Sequence, residues 1–299
     1  MNILITGGTG FIGRPLSHEL RDSGHSVVIA TRRKADSEHK LTWNPPELLS
    51  FDTLYRFDAV INLAGEKIAP SRWTKEQKER ILSSRIDTTR ALIRSMHNAL
   101  AKPKVLISAS AIGYYGPRGD EDVTEDAPPA FDFLAEVCMK WEKEAYKAEE
   151  FGVRVVTVRI GGVLEADGGA LPTMAMPFKF FLGGPIGNGK QWFSWIHRDD
   201  VIGIIKYALE NASITGPINA TAPNPVTNKD FSTALGKALH RPSFFSVPGF
   251  MVKLTLGELG AVLLTGQRVL PEKALSAGYT FKYEKVDEAL KAIYGRKKI

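Results

Sequence analysis

The chain has 299 residues, of which 43% are hydrophobic and 24% charged, with a formal net charge of +6 and one cysteine, Cys138. These proportions describe one large globular domain, or a domain with an appended lobe, and exclude a disordered low-complexity chain and an internally disulfide-stapled scaffold. No apolar stretch approaches the ~20 residues of a bilayer-spanning helix, no Cys/His cluster has metal-ligand spacing, and Asn2 and Ile3 read as strand rather than leader, so a cytoplasmic protein with no metal is expected.

The first elements are the most informative. The apolar run at 3–5 predicts a buried strand, and the amphipathic segment 11–23 predicts a helix; between them stands Gly7-Gly8-Thr9-Gly10-Phe11-Ile12-Gly13. Strand, glycine turn and helix form the diphosphate-binding arrangement of doubly wound α/β folds. Gly7 permits the tight turn, Gly10 lets backbone approach the phosphates, and Gly13 lets the helix pack against the strand, with its free N–H groups facing the anion. Thr9, Phe11 and Ile12 complete the candidate cradle.

A second strand is predicted over 26–31. A dinucleotide with a free ribose 2′-hydroxyl calls for a carboxylate at the end of this strand, about 20 residues past the glycines. Thr31-Arg32-Arg33-Lys34 stands there instead. A guanidinium offers a planar fork of donors and a permanent charge, which suits a 2′-phosphate. The pattern points to NADP(H), with Arg32 as the main contact and Thr31 and Arg33 beside it; a solvated basic loop is the alternative.

Further strands are predicted at 41–43, 58–63, 105–109, 153–159 and 218–220, and helices at 75–96, 133–150, 199–210, 231–239, 251–264 and 286–293. This alternation predicts a Rossmann-type doubly wound parallel sheet between helices, with ligands outside the carboxyl ends of the strands. After Gly161 the texture changes to a Met/Phe/Pro-rich stretch at 170–184 and a glycine-rich one at 183–189. The expected organisation is a dinucleotide domain of residues 1–165, to which 196–222 return, and a smaller, interwoven C-terminal substrate lobe of 166–195 and 223–299. Arg296-Lys297-Lys298 reads as a frayed tail.

Leu63, Ala64 and Gly65 close the fourth strand above the ligand crevice, and the small Ala64 and Gly65 let backbone lie against a ribose or phosphate; a plain tight turn is the rival explanation. Arg85, on the long helix, is either a bidentate phosphate contact or an exposed helix arginine. Trp192, Phe193, Trp195, Met174 and Met176 are candidates for the substrate side or for core, and Arg159 for a polar network or a cofactor contact. His197 with Asp199 is read as structural, Asp199 serving as a cap for the next helix. Basic residues are interleaved with acids, as in Lys75-Glu76-Gln77-Lys78-Glu79-Arg80. The expected partner is therefore a small molecule, with neither nucleic acid nor membrane, and the expected state a monomer or homodimer.

The glycine turn, Asn62-Leu63-Ala64-Gly65-Glu66, Ser108-Ala109-Ser110-Ala111-Ile112-Gly113-Tyr114-Tyr115-Gly116 and Trp195-Ile196-His197-Arg198-Asp199-Asp200 together resemble the extended short-chain dehydrogenase/reductase superfamily, the NAD-dependent epimerase/dehydratases, over nearly the whole chain. The segment Leu263-Leu264-Thr265-Gly266-Gln267-Arg268-Val269-Leu270-Pro271 is similar to an atypical epimerase-family subgroup. The resemblance implies hydride chemistry on a small carbonyl, alcohol or nucleotide sugar, with Ser108 beside the cofactor. It also implies a catalytic Ser/Thr with a Tyr-x-x-x-Lys pair on one helix. Here Leu134 and Cys138 take the tyrosine and lysine places. Ser110 matches the catalytic serine, Tyr114 or Tyr115 is available as the acid, and Glu136 as a base if it faces the pocket. The expectation is an NADP(H)-dependent oxidoreductase or epimerase with a non-standard site, or an NADP(H)-sensing protein that lacks the chemistry.

Overall fold

The computed structural model describes residues 1–68 and 72–295, so the tail at Arg296-Lys297-Lys298 lies outside the described residues. In chain order the first half contains β1 (Asn2–Thr6), α1 (Gly13–Asp22), β2 (Ser26–Thr31), β3 (Lys40–Thr42), α2 (Phe51–Leu54), β4 (Ala59–Asn62), α3 (Lys75–Asn98), β5 (Val105–Ala111), a 3-10 turn (Ile112–Tyr115), β6 (Asp122–Val123), α4 (Phe133–Tyr146), a second 3-10 turn (Lys147–Phe151) and β7 (Arg154–Ile160). There follow β8 (Gly162–Leu164), α5 (Leu171–Lys179), β9 (Trp192–Phe193), β10 (Trp195–His197), α6 (Arg198–Glu210), β11 (Gly216–Ala220), β12 (Val226–Thr227), α7 (Asn228–Leu239), α8 (Gly249–Leu256), α9 (Glu258–Leu263), β13 (Arg268–Val269), α10 (Glu272–Ser276) and α11 (Val286–Gly295).

Seven strands form one parallel sheet in the order β11-β7-β5-β4-β1-β2-β3. Strand order reverses at β1, which lies between β2 and β4, and that places the crevice at the carboxyl end of β1. Side chains alternate between two buried faces, which is why the strands read as unbroken apolar runs. Ile3, Ile5 and Ile61 pack with Leu16 and Leu20 of α1 and Val201 and Ile205 of α6. Leu4, Val60 and Leu106 pack on the other face with Leu92 and Met96 of α3. A separate core of Leu171, Phe178, Trp195, Phe231, Leu235 and Leu290 holds α5, α7 and α11 together.

Several element ends differ from expectation for local reasons. The helix expected over 251–264 is broken into α8 and α9 by Gly257, which takes φ +61°. The helix expected over 133–150 stops at Tyr146 and tightens into the second 3-10 turn, closed by Gly152 at φ +82°. In the Met/Phe/Pro stretch a nine-residue helix, α5, begins with a proline in its first turn, where the missing N–H costs nothing. Trp195, a candidate for the substrate side, is fully buried core and donates its indole N–H to Asn224 O at 3.0 Å.

Candidate functional site

The crevice starts at the glycine turn. Gly7 sits at φ +69°, and a β-carbon there would lie 2.6 Å from Leu63 O. A β-carbon at Gly13 would lie 2.3 Å from Gly7 O and 2.7 Å from Gly8 Cα, so helix and turn are in backbone contact. Gly10 is crowded only by Gly7 O, at 3.1 Å, and is exposed along with Thr9; Phe11 and Ile12 are half-buried. The first turn of α1 has no acidic residue, and no side chain caps it. Arg14 N donates to Gly10 O at 3.0 Å, Leu16 N donates to Ile12 O at 3.1 Å and Pro15 has no N–H, so an anion at this end of α1 would meet its positive dipole and the Gly13 amide. Phe11 packs beneath Gly168 and Gly169, where a β-carbon would come within 2.5 Å and 3.0 Å of its ring, and carries the Arg198 guanidinium 5.1 Å away.

Because Thr6 pairs with Ala30, the chain leaves β1 and β2 side by side, and Arg32, Arg33 and Lys34 begin beside the glycine turn. All three are exposed, and Thr31 Oγ1 accepts from Arg33 N at 3.2 Å. On the other flank Leu63 N donates to Thr6 O at 3.1 Å, leaving Leu63 and Ala64 half-buried and Gly65 exposed. Arg85 does not project as an open cation. It is buried, donates to Ile81 O and Glu66 O at 3.0 Å each, and lies 5.1 Å over the Trp141 ring, so it braces the 63–66 turn. Ser108 is buried in a polar column in which Thr6 Oγ1 donates to Asn62 Oδ1 (2.6 Å) and both Asn62 Nδ2 and Trp141 Nε1 donate to Thr89 Oγ1 (2.9 and 3.0 Å).

At the end of β5 lies a second polar assembly. Ser110 Oγ donates to Glu142 Oε1 at 2.6 Å. Arg159 grips the same carboxylate with Nε on Oε1 and Nη2 on Oε2, both 2.9 Å, and donates Nη1 to Tyr115 OH (2.9 Å) and Glu125 O (3.1 Å). Tyr115 OH donates to Asn219 Oδ1 at 2.7 Å, while Glu125 Oε1 accepts from Asn219 N at 2.9 Å. Burial opposes the charge of Arg159, but Glu142 holds it above the ordinary guanidinium range. Burial pushes Tyr115 up to about 12 and raises Glu125. Tyr114 is half-buried, its ring face 3.6 Å from the Arg159 guanidinium carbon. Ser110, Tyr114 and Arg159 are thus gathered at one place, with Tyr114 nearer the surface.

Helix α4 turns Leu134 toward Gly113, where a β-carbon would meet Leu134 Cβ at 3.1 Å, and Cys138 Sγ lies 3.6 Å from Ala111 O. Leu134 thus packs on the 3-10 turn that follows β5, and Cys138 on the last residue of β5. Burial pushes the Cys138 thiol up to about 12, so it stays protonated. A thiol reagent such as 5,5′-dithiobis(2-nitrobenzoate) is expected to release no thiolate chromophore from the native protein and one equivalent after denaturation; a full equivalent from native protein would contradict this burial. Glu136 is exposed and paired with Lys140 at 2.5 Å, away from this assembly. His197, not Asp199, caps α6: its Nδ1 accepts from Asp199 N at 3.0 Å.

Glu142, Glu125 and Asn219 were not anticipated. The available signal was spacing: Leu134, Cys138 and Glu142 recur every four residues, which puts a carboxylate in an inward stripe of α4. The segment 263–271 also reaches this place. Gln267 Nε2 donates to Ile112 O (2.9 Å), Arg118 N donates to Gly266 O (3.2 Å), and Arg268 pairs with Asp122 (3.0 Å). Among the described residues, no group of three or more His, Cys, Asp or Glu is placed to hold a metal.

Comparison with known proteins bears on this arrangement. Residues 3–220 match the model of the NAD dependent epimerase/dehydratase family, and residues 247–293 match a domain of unknown function, DUF1731. Epimerase family protein YfhF of Bacillus subtilis (strain 168) is 43% identical over 303 residues, spanning 100% of this chain and 99% of that protein. The chloroplastic epimerase family protein SDR39U1 homolog of Arabidopsis thaliana is 44% identical, spanning 98% and 86%. The crystal structure of human epimerase family protein SDR39U1 (isoform2) with NADPH superposes with a TM-score of 0.89 at 35% identity, covering 99% of this chain and 100% of that one. UDP-glucuronic acid 4-epimerase from Bacillus cereus, at 18% identity and a TM-score of 0.79 with coverage of 99% and 98%, shares the fold.

Proposed function

Given that the chain belongs to the NAD-dependent epimerase/dehydratase family, we propose that it binds NADP(H) across the glycine turn and carries out hydride transfer with a small carbonyl, alcohol or nucleotide-sugar substrate. The observation that carries this is the pairing of an uncapped, acid-free α1 N-terminus with an exposed Arg32-Arg33 loop beside it. The residues fit the cofactor. Gly7, Thr9, Gly10, Phe11, Ile12 and Gly13 would hold the diphosphate, Thr31, Arg32 and Arg33 the 2′-phosphate, and Leu63, Ala64 and Gly65 the adenosine side, with Arg85 and Ser108 supporting that wall. The human relative's structure with NADPH supports the same choice. When bound, the nicotinamide supplies or takes up the hydride.

Proton handling falls to the chain. Ser110 has one hydroxyl hydrogen, and Glu142 holds it. Ser110 is therefore disposed to accept a hydrogen bond from an alcohol rather than to donate one to a carbonyl. Tyr114 is left as the proton donor at the edge of the assembly, and in the proposed cycle its hydroxyl exchanges the proton with the substrate oxygen. The hydrogen bond held by Glu142, with apolar Leu134 and the protonated thiol of Cys138 beside it, also favours a second reading, an NADP(H)-sensing protein without turnover. Oxidation of NADPH across a panel of small carbonyls and nucleotide sugars separates the two. The enzyme predicts turnover with at least one member, reduced about 10²-fold to 10⁴-fold in Tyr114→Phe. Tight NADPH binding with no turnover across the panel favours the sensor.

A further inference from the structure

Two stretches of the chain, 168–198 and 231–257, contain no Asp or Glu, yet hold Lys179, Lys190, Arg198, Lys237, Arg241 and Lys253. Parts of both meet in one knob of the C-terminal region, where the chain leaves α5 and α7. Phe245 N donates to Gly183 O at 3.0 Å, and a β-carbon on Gly184 would lie 2.2 Å from Phe245 O, so the two loops are in backbone contact. The knob exposes Phe180 (69%), Phe181 (54%), Leu182 (56%), Phe244 (69%) and Phe245 (45%). Beside them Lys237, His240, Arg241, Ser243 and Phe244 line a cavity of about 600 Å³, and Ser243 Oγ is buried without a hydrogen-bond partner.

The backbone supplies an independent sign. Among the described residues, Phe181 (φ +63°) and His240 (φ +54°) are the non-glycine residues at positive φ, and both stand in this knob. Each closes a helix where glycine is usual. Phe181 N donates to Phe178 O and Leu182 N to Pro177 O (both 2.9 Å); His240 N donates to Lys237 O (3.1 Å) and Arg241 N to Gly236 O (2.8 Å). Glycine would end both helices with less strain, so helix termination does not account for a phenylalanine and a histidine there.

We propose that this knob docks on an anionic phospholipid surface. The phenylalanines and Leu182 enter the interfacial layer, while Lys179, Lys237, His240 and Arg241 face headgroup phosphates, one of which the Ser243 cavity takes. The charge pattern selects this occupant. A second copy docked through the same patch would set cation against cation. Base stacking needs open ring faces, whereas Phe181 carries the Arg241 guanidinium at 4.6 Å and Phe244 and Phe245 lie against one another at 4.5 Å. No helix among the described residues is long and apolar enough to cross a membrane, so the contact is peripheral.

The test is flotation of the whole protein with phosphatidylcholine vesicles, with or without 30% phosphatidylglycerol, in low and in high salt. Binding is expected only to the anionic vesicles and only in low salt, and it should fall at least about tenfold in Phe180→Ser with Phe244→Ser and in Lys237→Glu with Arg241→Glu. Phe181→Gly separates docking from folding: it should raise Tm by about 1–3 °C while weakening vesicle binding. The proposal is overturned by no binding to anionic vesicles in low salt or by equal binding to both vesicle types. It is also overturned if the same substitutions instead dissolve a dimer or abolish binding of single-stranded DNA.

Discussion

Glu142→Ala is expected to destabilise the protein by about 3–5 kcal/mol, which is a large fraction of the total stability of a domain. Glu142 and Arg159 have side chains only 5% and 4% exposed, and their two hydrogen bonds close a fork in a low-dielectric interior. Removing the carboxylate leaves a guanidinium buried without its counter-charge, and it frees the hydroxyl hydrogen of Ser110. The loss comes from that uncompensated charge rather than from the pair's net worth. The joint replacement Glu142→Leu with Arg159→Met should therefore cost less than Glu142→Ala alone. Urea unfolding of the parent and the two variants measures both effects. A single variant within 1 kcal/mol of the parent, on the scale where ~1 kcal/mol is an average substitution, would show that the pair is not anchoring this end of the sheet.

Gly13→Ala should reduce both stability and NADPH affinity, each by about 1–3 kcal/mol, or roughly 5-fold to 150-fold in affinity. The new methyl would meet Gly7 O at 2.3 Å, Gly8 Cα at 2.7 Å and Gly7 C at 2.9 Å, all backbone atoms with no flexible side chain to yield. The helix must move away from the turn, and the amides proposed to face the diphosphate move with it. Gly10→Ala is the matching contrast. Its methyl meets only Gly7 O, at 3.1 Å, and projects where the residue is exposed. It should leave Tm nearly unchanged while lowering affinity. Thermal unfolding with titration of NADPH separates packing from ligand approach; equal losses of stability in the two variants would contradict this division of roles.

What was legible in the sequence follows the physics of each element. The sheet strands are buried on both faces, so β2 is foreseen at its observed bounds of Ser26–Thr31 and β1, β4 and β7 to within a residue at either end. The glycine turn was legible because each glycine answers a local backbone demand. The Glu142–Arg159 assembly was not, since it joins α4, β5, β7 and β11 and depends on how those elements pack. Arg85 illustrates the same limit: on sequence it is a polar residue of a long helix, and only the packing of α3 on α4 puts it over Trp141 and under the 63–66 turn. His197 caps α6 in place of Asp199 because the helix begins at Arg198, which puts Asp199 inside the first turn and leaves His197 at the N-cap, where its Nδ1 accepts from Asp199 N.

In the proposed complex α1 receives the dinucleotide diphosphate while Arg32 grips the adenosine 2′-phosphate. Isothermal titration calorimetry of NADPH and NADH against the parent and Arg32→Ala tests it most directly. The parent is expected to prefer NADPH by about 10-fold to 100-fold, as for a charge-assisted hydrogen-bonded pair, and Arg32→Ala to bring the two nucleotides close to parity. No heat with NADPH, or a preference that the substitution leaves unchanged, would contradict it.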